Sequence, residues 1–153
     1  MLFNEGKTES DVYLIKKGIV RAFSIHDGIE VTFWFGIEGD TTLSMKSYVQ
    51  RQPGYESIEL LEDSQLYHIK ADSLQQLFNE DIHIANWGRK FAENELVKTE
   101  ERLISRHFKS ATERYHDLLT NTPHLVQRVQ LGHIASYLGI TQVSLSQIRS
   151  AVK

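Results

Sequence analysis

Between Leu131 and Arg149 the chain reads LGHIASYLGITQVSLSQIR, a placement of small and apolar residues that fits two short helices crossing at a tight turn. Ala135, Gly139, Leu145 and Ile148 stand at offsets of zero, four, ten and thirteen. A small residue lets the helices cross closely, a glycine can take positive φ in the turn, and two apolar residues three apart anchor the second helix. Thr141 follows the turn as a natural N-cap for a helix starting at Gln142. Gln142, Ser146, Arg149 and Lys153 then face outward, on a surface without a carboxylate, which favours contact with phosphates and base edges. An ordinary helical hairpin needs the same glycine and the same periodicity without touching nucleic acid, and that alternative stays open.

With 153 residues and 41% apolar content, the chain suits one sizeable domain or two small ones sharing a long connector. No apolar run is long enough to cross a bilayer. The opening MLFNEGKTESD is too polar for a secretory signal, which predicts a cytoplasmic protein. The absence of cysteine excludes disulfides, thiolate catalysis and sulfur-ligated metals.

A net charge of −3 hides an asymmetry. Residues 1–80 hold seven Lys or Arg against thirteen Asp or Glu, and residues 81–153 hold ten against seven. The halves therefore carry −6 and +3, as suits an acidic sensor joined to a nucleic-acid module.

Short β-prone runs punctuated by glycine occupy the first part: VYLIKKGIVRAFSI, EVTFWF and SIELLEDSQLYHI. Their even spacing predicts a β-sandwich or small barrel. Asp72 or Ser73 would then cap a short helix. From Asp81 to about His107 the pattern is helical without proline, a span of about 40 Å. Ile84, Trp87, Phe91, Asn94 and Lys98 follow alternating steps of three and four, the stripe of a helix that packs on another; Trp87 or Phe91 taken singly suits packing on the β domain, and a twofold partner helix is expected against part of the stripe. The later half of that helix reads as polar. Ser110 and Glu113 form a capping box for a further helix that Thr122 and Pro123 end. HLVQRVQ is then expected as an extended wing, with Arg128 at phosphate.

Taken in this order, the chain resembles the Crp/Fnr family of cyclic-nucleotide-binding-domain transcription regulators, particularly Bacteroidetes-type members. The run ATERYHDLLTNTPHLVQRVQLGHIASYLGITQVSLSQIR carries the resemblance, with YLIKKGIVRAF similar to early barrel strands and IELLEDSQLYHI to late ones. The resemblance implies an α+β fold: a β jelly-roll sensor over residues 1–80, a dimerisation helix over 81–108, and a winged helix-turn-helix over 109–153.

Three departures from the family pattern shape the expectations. Met1 enters the pattern at an early strand, so leading elements are expected to be missing, which would leave an exposed sheet edge. In GDTTLSMKSYVQRQPGYESIE, Leu43 and Ser44 stand where the family places a Gly-Glu pair, and Gly54 stands near its phosphate-binding arginine. Without that guanidinium, cyclic AMP is not expected, and Ser44, Arg51 and Ser57 are candidates for some other small-molecule effector. On the expected recognition helix, Gln142, Val143 and Gln147 replace two arginines and a glutamate. Glutamine pairs with adenine and valine meets the thymine methyl, which predicts a preference for A·T.

Nothing in the chain assembles an enzyme. Phosphate-loop, dinucleotide and zincin motifs are absent, and no two of the seven histidines are three to five apart. The expectation is thus a homodimeric regulator of double-stranded DNA. Thr141 caps the reading helix, Gln142, Val143 and Gln147 sit at base edges, and Arg128, Ser144, Arg149 and Lys153 at phosphates. The alternative is a dimeric sensing or interaction module that has lost DNA reading.

Overall fold

In the computed structural model, which describes residues 1–151, the β-prone runs fold into six strands: β1 (Val12–Lys17), β2 (Val20–His26), β3 (Ile29–Gly36), β4 (Thr41–Thr42), β5 (Ser57–Leu60) and β6 (Gln65–Ile69). They pair antiparallel in two sheets ordered β4-β1-β6 and β3-β2-β5. Phe3, Ile15, Val20, Ala22 and Ile58 form the core of this jelly-roll-like sandwich, with Tyr13, Phe33, Trp34 and Leu66 packed against it. Alternation along β2 places Val20 and Ala22 in that core. Near the start of the chain Phe3 bridges to Ile58, so the segment before β1 lies along β5. A short α1 (Met45–Gln50) and α2 (Ala71–Glu80) complete the elements up to residue 80.

The β1–β2 turn depends on Gly18. Its φ of +113° suits glycine, and a Cβ there would lie 2.0 Å from Ser64 Oγ and 3.0 Å from the Ser64 backbone. Gly18→Ala is expected to cost about 2–3 kcal/mol, read as an earlier urea midpoint at unchanged slope. A variant as stable as the parent would show that the turn has another conformation.

Helix α2 starts one residue before the expected caps Asp72 and Ser73, because a distant group satisfies its first amide. Asp11 Oδ1 accepts from Ala71 N at 3.1 Å, while Asp11 Oδ2 meets His68 Nε2 at 2.7 Å. The hydrogen bond from His68, aided by that from Ala71, holds the Asp11 carboxyl below its usual range.

The chain divides between Leu77 and Phe78 into two compact units, and the second is α-helical. Helix α3 (Ile82–Phe108) runs 27 residues, and its N-cap Asp81 accepts from His83 N and Ile84 N. None of its residues is buried. Trp87 and Phe91 stack with ring centroids 5.9 Å apart, Asn94 is exposed, and Lys98 pairs with Glu95 at 2.7 Å. The later half is less polar at its surface than the sequence stripe suggested, because Leu96, Val97, Leu103, Ile104 and Phe108 all project outward.

The capping box of Ser110 and Glu113 opens α4 (Ala111–Asn121) as expected. The expected extended wing is replaced by a helix, α5 (Pro123–Arg128). Pro123 is preset for the first helical turn, and Leu125 and Val129, four apart, are both buried. Helices α6 (Leu131–Leu138) and α7 (Gln142–Ala151) follow. Among the described residues no helix is long and apolar enough to cross a membrane.

Candidate nucleic-acid interface and a polar cluster in the roll

Three residues join α6 to α7. Gly139 takes φ +68°, its N–H donates to the Ala135 and Ser136 carbonyls, and Ile140 N–H donates to Ala135 O at 3.0 Å. This double closure satisfies carbonyls at the end of α6 and turns the chain sharply. Thr141 then caps α7, its Oγ1 accepting from Ser144 N at 3.1 Å. Leu145 is wholly buried, and Ile148 half-buried, so the opposite side of α7 is fixed as the outward one.

That outward side carries Val143 and Gln147, which line a shallow concavity with Ser146, Ser150 and Ala151, while Gln142 and Arg149, three and four residues from Leu145, flank the seated side; all four are exposed. Ser144 is half-buried, and its hydroxyl lies 2.9 Å from Thr141 Oγ1, shared within the cap. Arg128 is exposed at the end of α5 rather than on a strand. Lys153 lies outside the described residues. No acidic residue follows Asp117 in the sequence, so negative charge is absent from α5, α6 and α7 alike.

One residue the sequence reading passed over holds this turn in place. Arg114 of α4 donates from Nη2 to Leu138 O at 2.7 Å and from Nη1 to Lys109 O. A guanidinium at the C-terminal end of α6 satisfies an orphan carbonyl and opposes the negative end of the helix dipole. Its only sequence signal was an arginine in a helix with no assigned partner.

In the roll, the three candidates for a ligand separate. Arg51, the left-handed C-cap of α1, sends its guanidinium to Ser10 Oγ at 2.7 Å and Asp72 Oδ1 at 2.8 Å. Ser57 Oγ accepts from Glu5 N at 3.1 Å. Ser44 alone is buried in the cassette stretch, where the structure adds Thr42, Ser47 and Glu56, all buried. Ser47 Oγ donates to Gln52 O at 2.9 Å. A bound cyclic phosphate needs a cationic fork, and Gly54 and the buried carboxylate of Glu56 do not supply one. Among the described residues, no three His, Cys, Asp or Glu side chains come together as a metal site.

The family described as the cyclic nucleotide-binding domain matches residues 1–81. No curated protein matches the chain. Among solved structures, FixK2 from Bradyrhizobium japonicum is similar at a TM-score of 0.80 and 21% identity, over 98% of this chain and 78% of that one. CLP, a c-di-GMP responsive global regulator from Xanthomonas campestris, is similar at 0.72 and 17% identity, over 98% and 80%. A Crp/Fnr-family protein from Eubacterium rectale is similar at 0.71 and 18% identity, over 90% and 66%. The chain thus belongs to the cyclic nucleotide-binding domain family, and its fold is that of Crp/Fnr-type regulators.

Proposed function

We propose that this protein is a homodimeric, DNA-binding transcription regulator of the Crp/Fnr type, with α6 and α7 as its helix-turn-helix and a roll that does not take cyclic AMP. The observation that carries the reading is the exposed surface of α7: Val143 and Gln147 lie opposite buried Leu145, Gln142 and Arg149 lie beside it, all four are exposed, none is a carboxylate, and the Thr141 cap braces the helix. Gln142 and Gln147 offer the donor and acceptor pair that adenine presents in the major groove, and Val143 offers a methyl to thymine. Arg149 and Arg128 supply phosphate contacts. The partner helix for α3 is its own copy, through Ile84, Trp87 and Phe91 and the outward apolar residues further along. Two reading helices so paired meet half-sites about 34 Å apart. A protein of this kind is not an enzyme and works in the cytoplasm.

Selection of bound fragments from random duplex DNA tests the reading. Enriched half-sites should be A·T-rich where the glutamines reach, and Arg149→Ala should weaken binding to all sequences while reducing the salt slope by about one. G·C-rich half-sites would remove the glutamine assignment. No retardation of any duplex at low salt would leave the protein as a dimeric sensing or interaction module.

A further inference from the structure

We propose that the roll binds a monovalent cationic group at Glu56, received by the buried hydroxyls of Ser44 and Thr42. Among the described residues, buried side-chain polar atoms without a hydrogen-bond partner are Thr42 Oγ1, Ser44 Oγ and Arg114 Nε. The two hydroxyls belong to one short segment, with Thr42 1% and Ser44 2% exposed. Standing two apart in extended backbone, they share a face. A buried hydroxyl left unpaired is costly, so two on one face mark a place where a partner belongs.

Glu56 supplies the charge. It is 4% exposed, its carboxylate accepts from Tyr55 N at 3.1 Å, and among the described residues it forms no ion pair. Gly54 packs against both groups. A Cβ at Gly54 would stand 2.5 Å from Ser44 Oγ and 3.6 Å from each Glu56 carboxylate oxygen. Hydroxyl and carboxylate are therefore at most about 6 Å apart, a separation that one nitrogen can span with two hydrogen bonds of about 2.8 Å. An ammonium group has three donors and no acceptor, matching a carboxylate and two hydroxyl oxygens. An alkali cation finds the same oxygens. A phosphate, by contrast, would bring like charge against a desolvated carboxylate, so the cluster that receives a cation also turns away cyclic nucleotides.

The test uses the full chain and calorimetric titration with ethanolamine hydrochloride, potassium chloride, cyclic AMP and c-di-GMP. Choline chloride, whose nitrogen has no N–H to donate, is the ionic-strength control. Saturable one-site binding of ethanolamine or of potassium is expected, and which of them binds identifies an amine or an alkali ion as the source. Glu56→Gln keeps the shape, removes the charge and should weaken binding about tenfold or more. Gly54→Ala drives a methyl against Ser44 Oγ, displaces that hydroxyl and should abolish binding while the circular dichroism spectrum stays that of the parent. The proposal falls if neither cation binds, if choline matches ethanolamine, if Glu56→Gln binds as the parent does, or if either nucleotide binds. DNA retardation is read separately on α7, so either reading can fail without the other.

Discussion

Replacing Leu145 with alanine is expected to lower the stability of the helical unit by about 3 kcal/mol, while Val143→Ala two residues away changes it by about 0.5 kcal/mol or less. The contrast follows from burial: Leu145 is 0% exposed and Val143 69%. Leu145 is the one buried residue of α7, whereas α6 buries Ile134, Ala135 and Leu138. Shortening Leu145 removes three carbons from a close-packed contact and leaves a void that one short helix cannot collapse to fill. Hydrogen exchange reads α6 and α7 separately from the roll, as a chain of two units requires, and urea midpoints for the roll are followed at the amides of its own strands for the same reason. Amides of α6 and α7 should lose protection together in Leu145→Ala and keep it in Val143→Ala. If both variants exchange alike, α7 is not seated through Leu145, and the face assigned to DNA is not the outward one.

Features legible in the sequence were those set by neighbours in the chain. The Thr141 cap, the Gly139 turn, the Ser110–Glu113 capping box and the long helix from Asp81 each depend on residues within about one turn of one another, and all four form as the pattern predicts. The wing failed for a related reason. Leu125 and Val126 side by side read as strand, but Pro123 starts a helix and burial selects Leu125 with Val129. What the sequence did not disclose are partnerships across distance. Asp11 caps α2 from 60 positions away, Arg114 reaches Leu138 from 24 away, and Arg51 is held by Asp72, 21 away. Of the ligand candidates only Ser44 joined the buried cluster. Glu56 was missed because a single glutamate in a loop carries no sign of burial.

The largest single loss of stability in the roll is expected from Arg21→Ala, at about 3 kcal/mol or somewhat more. Arg21 is the second residue of β2, between the core residues Val20 and Ala22, so its side chain leaves by the opposite face, yet it is only 2% exposed. Glu59 faces it directly across from β5, accepting from Nε at 2.8 Å, and Glu30 and Thr32 of β3 accept from Nη1. The guanidinium carbon lies 4.1 Å from the Phe23 ring centre, adding a cation–π contact and packing for the stem. An arginine cannot relieve burial by losing its proton, so its charge is offset where it sits, by carboxylates. Once it is removed, Glu30 and Glu59 are left as like charges on one sheet face without the cation that joined them. Part of the expected cost therefore comes from the carboxylates, which are 40% and 26% exposed and so partly hydrated, and that part should be recoverable. Combining Arg21→Met with Glu30→Gln and Glu59→Gln removes the charges together and keeps the stem's bulk, and should restore most of the lost stability in urea titration. Should the triple variant be as unstable as Arg21→Ala, packing against Phe23 rather than charge balance would be the dominant contribution. If Arg21→Ala alone leaves the urea midpoint unchanged, the side chain is not buried in this ion network in solution.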